Sequence, residues 1–144
     1  MIATKWKEFE IKADFIGHKN WSCDSKFTNY NYHKVYIKNT ETGASTNFEY
    51  WTSNAHPMMT DEGDLFDALD CILMDAMAGK MEYEEFCSEY GYPVYREDGY
   101  VNANSKRVWK ACKNSLAKCE RVFAGYDIEN IYNELMADRE RSYE

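Results

Sequence analysis

The sequence lacks the short motifs that usually carry catalytic or phosphate-binding chemistry. Its seven glycines stand singly, which excludes the glycine-rich loops that cradle phosphate groups. There is no G-x-S-x-G and no recognisable pairing of a cysteine with a histidine, so nucleophilic catalysis has no motif. Carboxylates are abundant, but acid and base catalysis needs several to converge in a cleft, and a sequence does not show convergence. We therefore predict a protein that is not an enzyme and has no catalytic residues.

Histidine is scarce, and His18, His33 and His56 stand far apart. Zinc sites group cysteines and histidines in pairs or use an H-E-x-x-H helix, and neither pattern is present. We expect no metal and no other cofactor. His33 is predicted to be a surface or edge residue of a strand, and His56 to lie in a loop. A small enzyme that uses Cys23 or a group of carboxylates is the third and weakest functional alternative.

The chain also lacks a C-x-x-C pair and any long apolar run. Its five cysteines are odd in number, and four fall at apolar positions of predicted helices, where free cysteine acts as a small hydrophobe. These four are Cys71, Cys87, Cys112 and Cys119. This usage indicates a reducing cytoplasm. With neither a signal peptide nor a bilayer-spanning segment, we expect a cytoplasmic protein without a membrane partner.

The hydrophobic residues that are present predict an α+β fold. With 144 residues, of which 44% are hydrophobic, the chain suits one domain, residues 1–144, that buries its own core. Alternating apolar and polar residues predict a three-stranded antiparallel sheet with strands at Trp6–Phe15, Tyr30–Lys38 and Thr46–Thr52. The polar segment Gly17–Thr28 is interpreted as a long connection. About four helices should follow and cover the apolar face of the sheet.

The first predicted helix, residues 61–77, is the segment around which the others are organised. Leu65, Leu69 and Leu73 belong to a stripe with helical spacing. Thr60 is the expected N-cap and Gly79 the expected stop. Further helices are predicted at residues 82–90, 104–123 and 127–139, with helix 104–123 carrying the basic residues.

Acidic residues are concentrated in the middle of the chain. Residues 61–98 hold twelve aspartates and glutamates against two basic residues, and the whole chain has a net charge of −8. Such a field repels nucleic acid and favours a basic protein partner, whose approach it accelerates. Tyrosines in the same region supply amphipathic anchors of the kind that interfaces use. We predict a partner-binding surface made of Asp61, Glu62, Asp64, Asp67, Asp70, Glu82, Glu84, Glu85, Glu89, Tyr90, Tyr92, Tyr95, Glu97 and Asp98.

The basic helix offers an alternative surface. Lys106, Arg107, Lys110 and Lys113 could contact phosphates while Tyr100 or Trp109 stacks on bases. The same lysines also flank an apolar stripe, as solvated residues with partly buried stems do. Direct binding of nucleic acid is therefore the less favoured hypothesis, and an accessory protein that binds nucleic acid through helix 104–123 is the alternative function.

Four segments together resemble a loose group of small bacteriophage and prophage proteins. They are FEYWTS (48–53), DEGDLFDALDCILMDA (61–76), EEFCSEYGY (84–92) and SKRVWKAC (105–112). The resemblance covers about residues 46–124, and the chain departs from it in the insertion-like segment PVYREDGYVNA (93–103). Some proteins of this group are inhibitors of bacterial defence, including anti-CRISPR proteins. The resemblance transfers no functional residues, but it implies a non-enzymatic protein that acts in the host cytoplasm and blocks a defence protein such as a CRISPR effector complex. The sequence leaves its oligomeric state open.

Overall fold

A computed structural model describes residues 1–21, 28–53 and 59–142. The described residues form an α+β fold with one antiparallel sheet and four helices, which confirms the predicted class. The chain divides into two compact units, Met1–Leu69 and Asp70–Glu144. The elements in chain order are β1 (Ile2–Trp6), β2 (Phe9–Trp21), β3 (Thr28–Asn39), β4 (Ser45–Ser53), α1 (Glu62–Gly79), α2 (Tyr83–Tyr90), α3 (Ala103–Val122) and α4 (Ile128–Ser142).

The sheet has four strands in the order β1-β2-β3-β4, so the predicted count of three is wrong. The missed strand is β1, which pairs with β2 through a hairpin that places Trp6 opposite Phe9. The turn between them consists of Lys7 and Glu8, and Lys7 has the left-handed φ of 53°. Tight hairpin turns usually have Asn or Gly at positions with a left-handed φ. Because Lys7 and Glu8 give no such signal, the predicted strand begins at Trp6 and continues through the turn, and residues 2–5 are assigned to no element.

The second and third strands are longer than the sequence predicts. The segment predicted as a connection, Gly17–Thr28, instead contributes residues 17–21 to β2, and residue 28 begins β3. The register shifts between Phe15 and Gly17, which marks a bulge in β2. The alternation of apolar and polar residues changes phase at a bulge, so the pattern that predicts a strand stops there.

One face of the sheet forms the core of the first unit. Phe9, Ile11, Val35 and Ile37 are fully buried there, as their alternation predicts. His33 lies on the same face and is only 1% exposed, so its predicted surface position is wrong. Its Nε2 accepts a hydrogen bond from the Met59 amide at 3.3 Å, and this contact compensates part of the cost of burying an imidazole among apolar groups.

The start of α1 is fixed by two aspartates and not by Thr60, the predicted N-cap. Oδ1 of Asp61 accepts from the Asp64 amide at 3.0 Å, and Oδ2 of Asp64 accepts from the Asp61 amide at 3.3 Å. This reciprocal pair is a capping box, which satisfies amides that a helix start leaves without partners. Thr60 is instead a donor, since its own amide bonds to Asp64 at 2.8 Å.

The end of α1 lies at Gly79, as predicted, but for another physical reason. Gly79 does not adopt the left-handed conformation of a typical C-cap, which Gly91 does adopt after α2. A Cβ at Gly79 would lie 2.7 Å from the carbonyl carbon of Cys112 in α3. The glycine is therefore required by the close approach of two backbones.

The helices of the second unit follow the predicted spacing closely. Phe86, Cys87, Cys112, Cys119 and Phe123 are buried. Asp127 caps α4 by accepting from the Asn130 amide at 3.3 Å, as predicted. Three of the four helical cysteines are buried, but Cys71 is exposed on α1, so the predicted burial of that residue is wrong.

Candidate partner-binding surface

The second unit carries an acidic helix whose charges are not neutralised locally. All four glutamates of the α2 region, Glu82, Glu84, Glu85 and Glu89, are exposed. Within the described part of the chain, none of them forms an ion pair. Glu84 and Glu85 lie in the first turn, where the helix dipole favours negative charge. Three carboxylates on so short a helix, with a fourth at its N-cap, give this surface a negative field.

The segment after α2 is an ordered hairpin and not a loose loop. Tyr95 and Val101 form an antiparallel bridge. The Arg96 amide donates to the Tyr100 carbonyl at 2.7 Å, and the Gly99 amide donates to the Arg96 carbonyl at 3.0 Å. The Asn102 amide closes the base by donating to Val94 at 3.0 Å. These bonds fix the backbone of residues 94–102 before any partner arrives.

The hairpin presents aromatic rings to solvent. Tyr95 is 56% exposed and Tyr100 is 73% exposed. Glu97 and Asp98 are exposed beside them, although Asp98 is paired with Arg96 at 2.9 Å. Exposed aromatics on a fixed backbone are efficient anchors, because they lose little conformational entropy on binding. Tyr100 does not belong to the surface predicted from the sequence, where it appears only as a residue that could stack on bases.

Tyr83 joins the hairpin to α2. Its hydroxyl donates to the Val94 carbonyl at 2.9 Å and lies 3.4 Å from the Asn102 carbonyl. Both acceptors lie at the base of the hairpin. Helix α2 and the hairpin are therefore held as one arrangement, which we call the acidic-tyrosine surface and define as Glu82, Glu84, Glu85, Glu89, Tyr90, Tyr95, Glu97, Asp98 and Tyr100.

Tyr92, which the sequence analysis included in the surface, has a different role. Its ring stacks on Phe86 with centroids 5.5 Å apart and an angle of 12° between the planes. It packs against the buried cluster that Ala78, Phe86 and Cys112 help to form. Tyr92 is therefore part of the support beneath the surface and is only half exposed.

A small hollow opens beside the acidic-tyrosine surface. It has a volume of about 130 Å³ and is lined by side chains from α1, α2, the following loop and α3. Most of its wall is apolar, and Asp75 is its one carboxylate. Asp75 is exposed to solvent at the edge of the hollow, and partial desolvation there raises its pKa. Asp75 belongs to the acidic middle of the chain, but only the folded structure distinguishes it from its neighbours.

The acidic residues of α1 are largely occupied by contacts within the protein. Asp61 and Asp64 cap the helix, and Glu62 accepts a hydrogen bond from the Thr4 hydroxyl at 2.8 Å. Asp70, half buried, is paired with Arg139 at 3.3 Å. Asp67 is exposed and also takes part in an interaction within the chain. Asp61, Glu62, Asp64 and Asp67 belong to the first unit, whereas α2 and the hairpin belong to the second.

The basic helix α3 uses two of its lysines to support an indole ring. Lys106 and Lys113 lie 5.2 Å and 4.6 Å from the centroid of Trp109. The indole Nε1 donates to the Met81 carbonyl at 2.9 Å. Trp109 is therefore occupied by contacts within the unit, which leaves it poorly placed to stack on bases. Lys106, Arg107 and Lys110 also line an open depression of about 510 Å³ along α3.

The thiols of α3 are unsuited to nucleophilic catalysis. Burial raises the pKa of Cys112 to about 11 and that of Cys119 to about 12, with Asp75 adding to both effects. Both are protonated at neutral pH, whereas the thiolate is the reactive form. Cys23 and His56 lie outside the described residues, and His18 is described only by its backbone in β2.

Among the described residues, no cluster of three or more His, Cys, Asp or Glu side chains is arranged to hold a metal ion. None of the described helices combines the length and apolar character needed to cross a bilayer. Comparisons with protein-family models, with curated proteins and with solved structures find no match to this chain.

Proposed function

We propose that this protein binds a basic protein partner through the acidic-tyrosine surface and inhibits it. The observation that carries the proposal is the juxtaposition of four glutamates with exposed tyrosines on a fixed hairpin. Three of the glutamates lie on α2 and one is its N-cap, and none forms an ion pair among the described residues. Surface carboxylates attract a basic groove over a distance of about one Debye length, ~8 Å at physiological ionic strength. Tyrosines that are already positioned then provide desolvated contact area.

The partner we propose is a nucleic-acid-binding protein of a host defence system, with a CRISPR effector complex as the leading candidate. A groove that binds a phosphate backbone is lined with lysine and arginine. An array of carboxylates offers such a groove charges of the same sign as phosphate, and it would compete with the nucleic acid. The resemblance of residues 46–124 to small phage proteins is a second, weaker reason for this choice.

A plating assay tests the proposal. Bacteria with an active CRISPR system that targets a phage are plated with that phage, with and without expression of this protein. We expect expression to restore plaques, and the double variant Glu84→Lys, Glu85→Lys to lose that effect, because two reversed charges repel a basic groove. The matched control is Glu129→Lys, which reverses an exposed charge in the first turn of α4, a helix that contributes no residue to the acidic-tyrosine surface.

Both variants must be shown to fold, by circular dichroism and thermal denaturation. If the folded double variant restores as many plaques as the natural protein, the acidic-tyrosine surface is not the site of action. If the natural protein restores no plaques in strains with different CRISPR types, the choice of partner is wrong.

A second function, nucleic-acid binding through α3, is supported by the depression that Lys110 and Arg107 line. It predicts a gel shift that weakens with salt and disappears when Lys106, Lys110 and Lys113 are neutralised. Two of these lysines already lie against Trp109, and this second function is therefore the less favoured one.

A further inference from the structure

The hollow beside α2 combines an apolar wall with a single charge, and that combination restricts what it can bind. Met74 and Tyr90 form part of its edge and are each 45% exposed. Ala78, Val108 and Cys112 line it as well. Binding sites for drug-sized ligands measure about 300–1,000 Å³, so a hollow of about 130 Å³ is suited to one side chain.

The carboxylate in the hollow is the next feature that restricts its ligand. Within the described residues, no side chain forms an ion pair or hydrogen bond with Asp75. Its charge acts on its surroundings, since both Asp75 and Glu89 contribute, after burial and Cys112, to the raised pKa of Tyr90. A cation that enters the hollow would therefore meet the carboxylate of Asp75 at its edge.

The aromatic side of the hollow also favours a cation. Phe86 lies with its ring centroid 5.2 Å from that of Tyr90 and 5.5 Å from that of Tyr92, and all three rings line the hollow. The faces of aromatic rings attract ammonium groups, and they pack equally well against methylene groups. A side chain with an alkyl stem and a cationic tip matches both the rings and the carboxylate.

We propose that this hollow is the docking site for a lysine side chain of the basic protein partner. The stem packs against Ala78, Val108 and Phe86, and the ammonium group reaches the carboxylate of Asp75. Lysine fits better than arginine, because a compact ammonium on an unbranched four-carbon stem needs less room in a hollow of about 130 Å³ than the wide planar guanidinium does. This inference rests on the proposed function, since it names the group that the partner inserts beside the acidic-tyrosine surface.

Nuclear magnetic resonance with matched probes tests the proposal. The probes are three blocked amino acids, Nα-acetyl N-methylamides of lysine, norleucine and arginine, added to the ¹⁵N-labelled full chain. Norleucine has the same stem as lysine but no ammonium group. We expect lysine to shift the amides of Ala78, Tyr90, Tyr92 and Cys112, and to bind about tenfold more tightly than norleucine, since a charged hydrogen bond is lost without the ammonium.

Two variants separate the carboxylate from the general negative field. Asp75→Asn should weaken lysine binding about tenfold, whereas Asp75→Glu should retain most of it. Glu129→Gln, which removes an exposed carboxylate from α4, should leave binding unchanged. Equal binding of lysine and norleucine, tighter binding of arginine, or no effect of Asp75→Asn would each overturn the proposal.

The plating assay distinguishes failure of the hollow from failure of the proposed function. If Glu84→Lys, Glu85→Lys abolishes inhibition while Asp75→Asn inhibits fully, the acidic-tyrosine surface remains and the docking of a lysine in the hollow is overturned. If lysine binds the hollow in solution but the natural protein inhibits nothing, the proposed function fails and the lysine specificity of the hollow stands. Loss of inhibition in folded Asp75→Asn, with retention in Asp75→Glu, supports both.

Discussion

His33 is the residue whose environment departs furthest from what its type predicts. Its ring lies on the core face of the sheet, with its centroid 5.5 Å from that of Phe15. Nε2 accepts a hydrogen bond from Met59, while Nδ1 is buried without a hydrogen-bond partner among the described residues. Burial lowers the pKa of His33, against smaller opposing contributions from the backbone of Tyr50 and from Asp64.

The lowered pKa of His33 makes stability depend on pH. The unfolded chain, in which the pKa is about 6.5, binds the proton more readily than the folded protein does. The stabilisation is therefore complete above that pH and is lost as pH falls from it toward the folded-state pKa. We expect the free energy of unfolding, measured with urea, to decrease between about pH 7.5 and about pH 5. The free energy of unfolding of His33→Gln should decrease less over this range, because glutamine cannot take up the proton. Parallel curves of free energy against pH for the two proteins would contradict a role of His33.

At Gly79, the packing of the structure and helix propensity predict opposite effects of an alanine substitution on stability. Alanine is the better helix former by about 0.8–1 kcal/mol. However, an added Cβ would meet the backbone of Cys112 and would lie 3.0 Å from the Lys113 amide nitrogen. We expect Gly79→Ala to destabilise the protein by about 1–3 kcal/mol through overpacking, measured by chemical denaturation.

The matched control for Gly79 is Gly63 in the same helix. Its added Cβ would meet only the Asp61 side chain, at 3.3 Å. Gly63→Ala should therefore be neutral or stabilising by up to about 1 kcal/mol. If the two alanine variants are equally stable, the close approach of the backbones at Gly79 is not a constraint on the fold.

At the scale of elements, the hydroxyl of Tyr83 is the contact that holds the hairpin to α2. Tyr83→Phe keeps the ring, over which Lys106 lies at 4.7 Å from the centroid, and removes only the hydrogen bonds to the base of the hairpin. We expect a loss of about 0.5–1.5 kcal/mol, with faster hydrogen exchange at the Arg96 and Asn102 amides. Tyr100→Phe, at a position that is 73% exposed, should change neither quantity. Unchanged exchange in Tyr83→Phe would show that the Tyr83 hydroxyl does not hold the hairpin in place.

The elements that the sequence predicts well are those with a continuous pattern. Helices α2, α3 and α4 lie within a few residues of their predicted bounds, because their apolar stripes and caps such as Asp127 are local signals. The sequence does not predict β1, because Lys7 and Glu8 lack the residue types typical of a tight turn. It predicts too short a β2, because the alternation of apolar and polar residues changes phase near Gly17. Turns and bulges depend on backbone conformation that a residue type only partly determines.

At the scale of the whole molecule, the sequence predicts the sign of the charge but not which charges are available. The excess of acid in residues 61–98 is visible by counting. The contacts that individual side chains make are not visible by counting, because they form only on folding. Asp61 and Asp64 become a helix cap, Asp70 becomes an ion-pair partner and Tyr92 supports the surface from beneath. The hollow around Asp75 likewise requires three helices to converge. The glutamates of α2 therefore emerge as the available part of the predicted surface.

The measurement that tests the central claim most directly is site-specific photo-crosslinking in bacteria with an active CRISPR system. A photoreactive phenylalanine derivative is placed at Tyr95 or Tyr100 on the hairpin, and at Tyr132 on α4 as the control. We predict covalent adducts with a nucleic-acid-binding protein from positions 95 and 100, lost in the Glu84→Lys, Glu85→Lys background and not formed from position 132. Adducts that form equally from position 132, or that join the hairpin to nucleic acid and to no protein, would contradict the account.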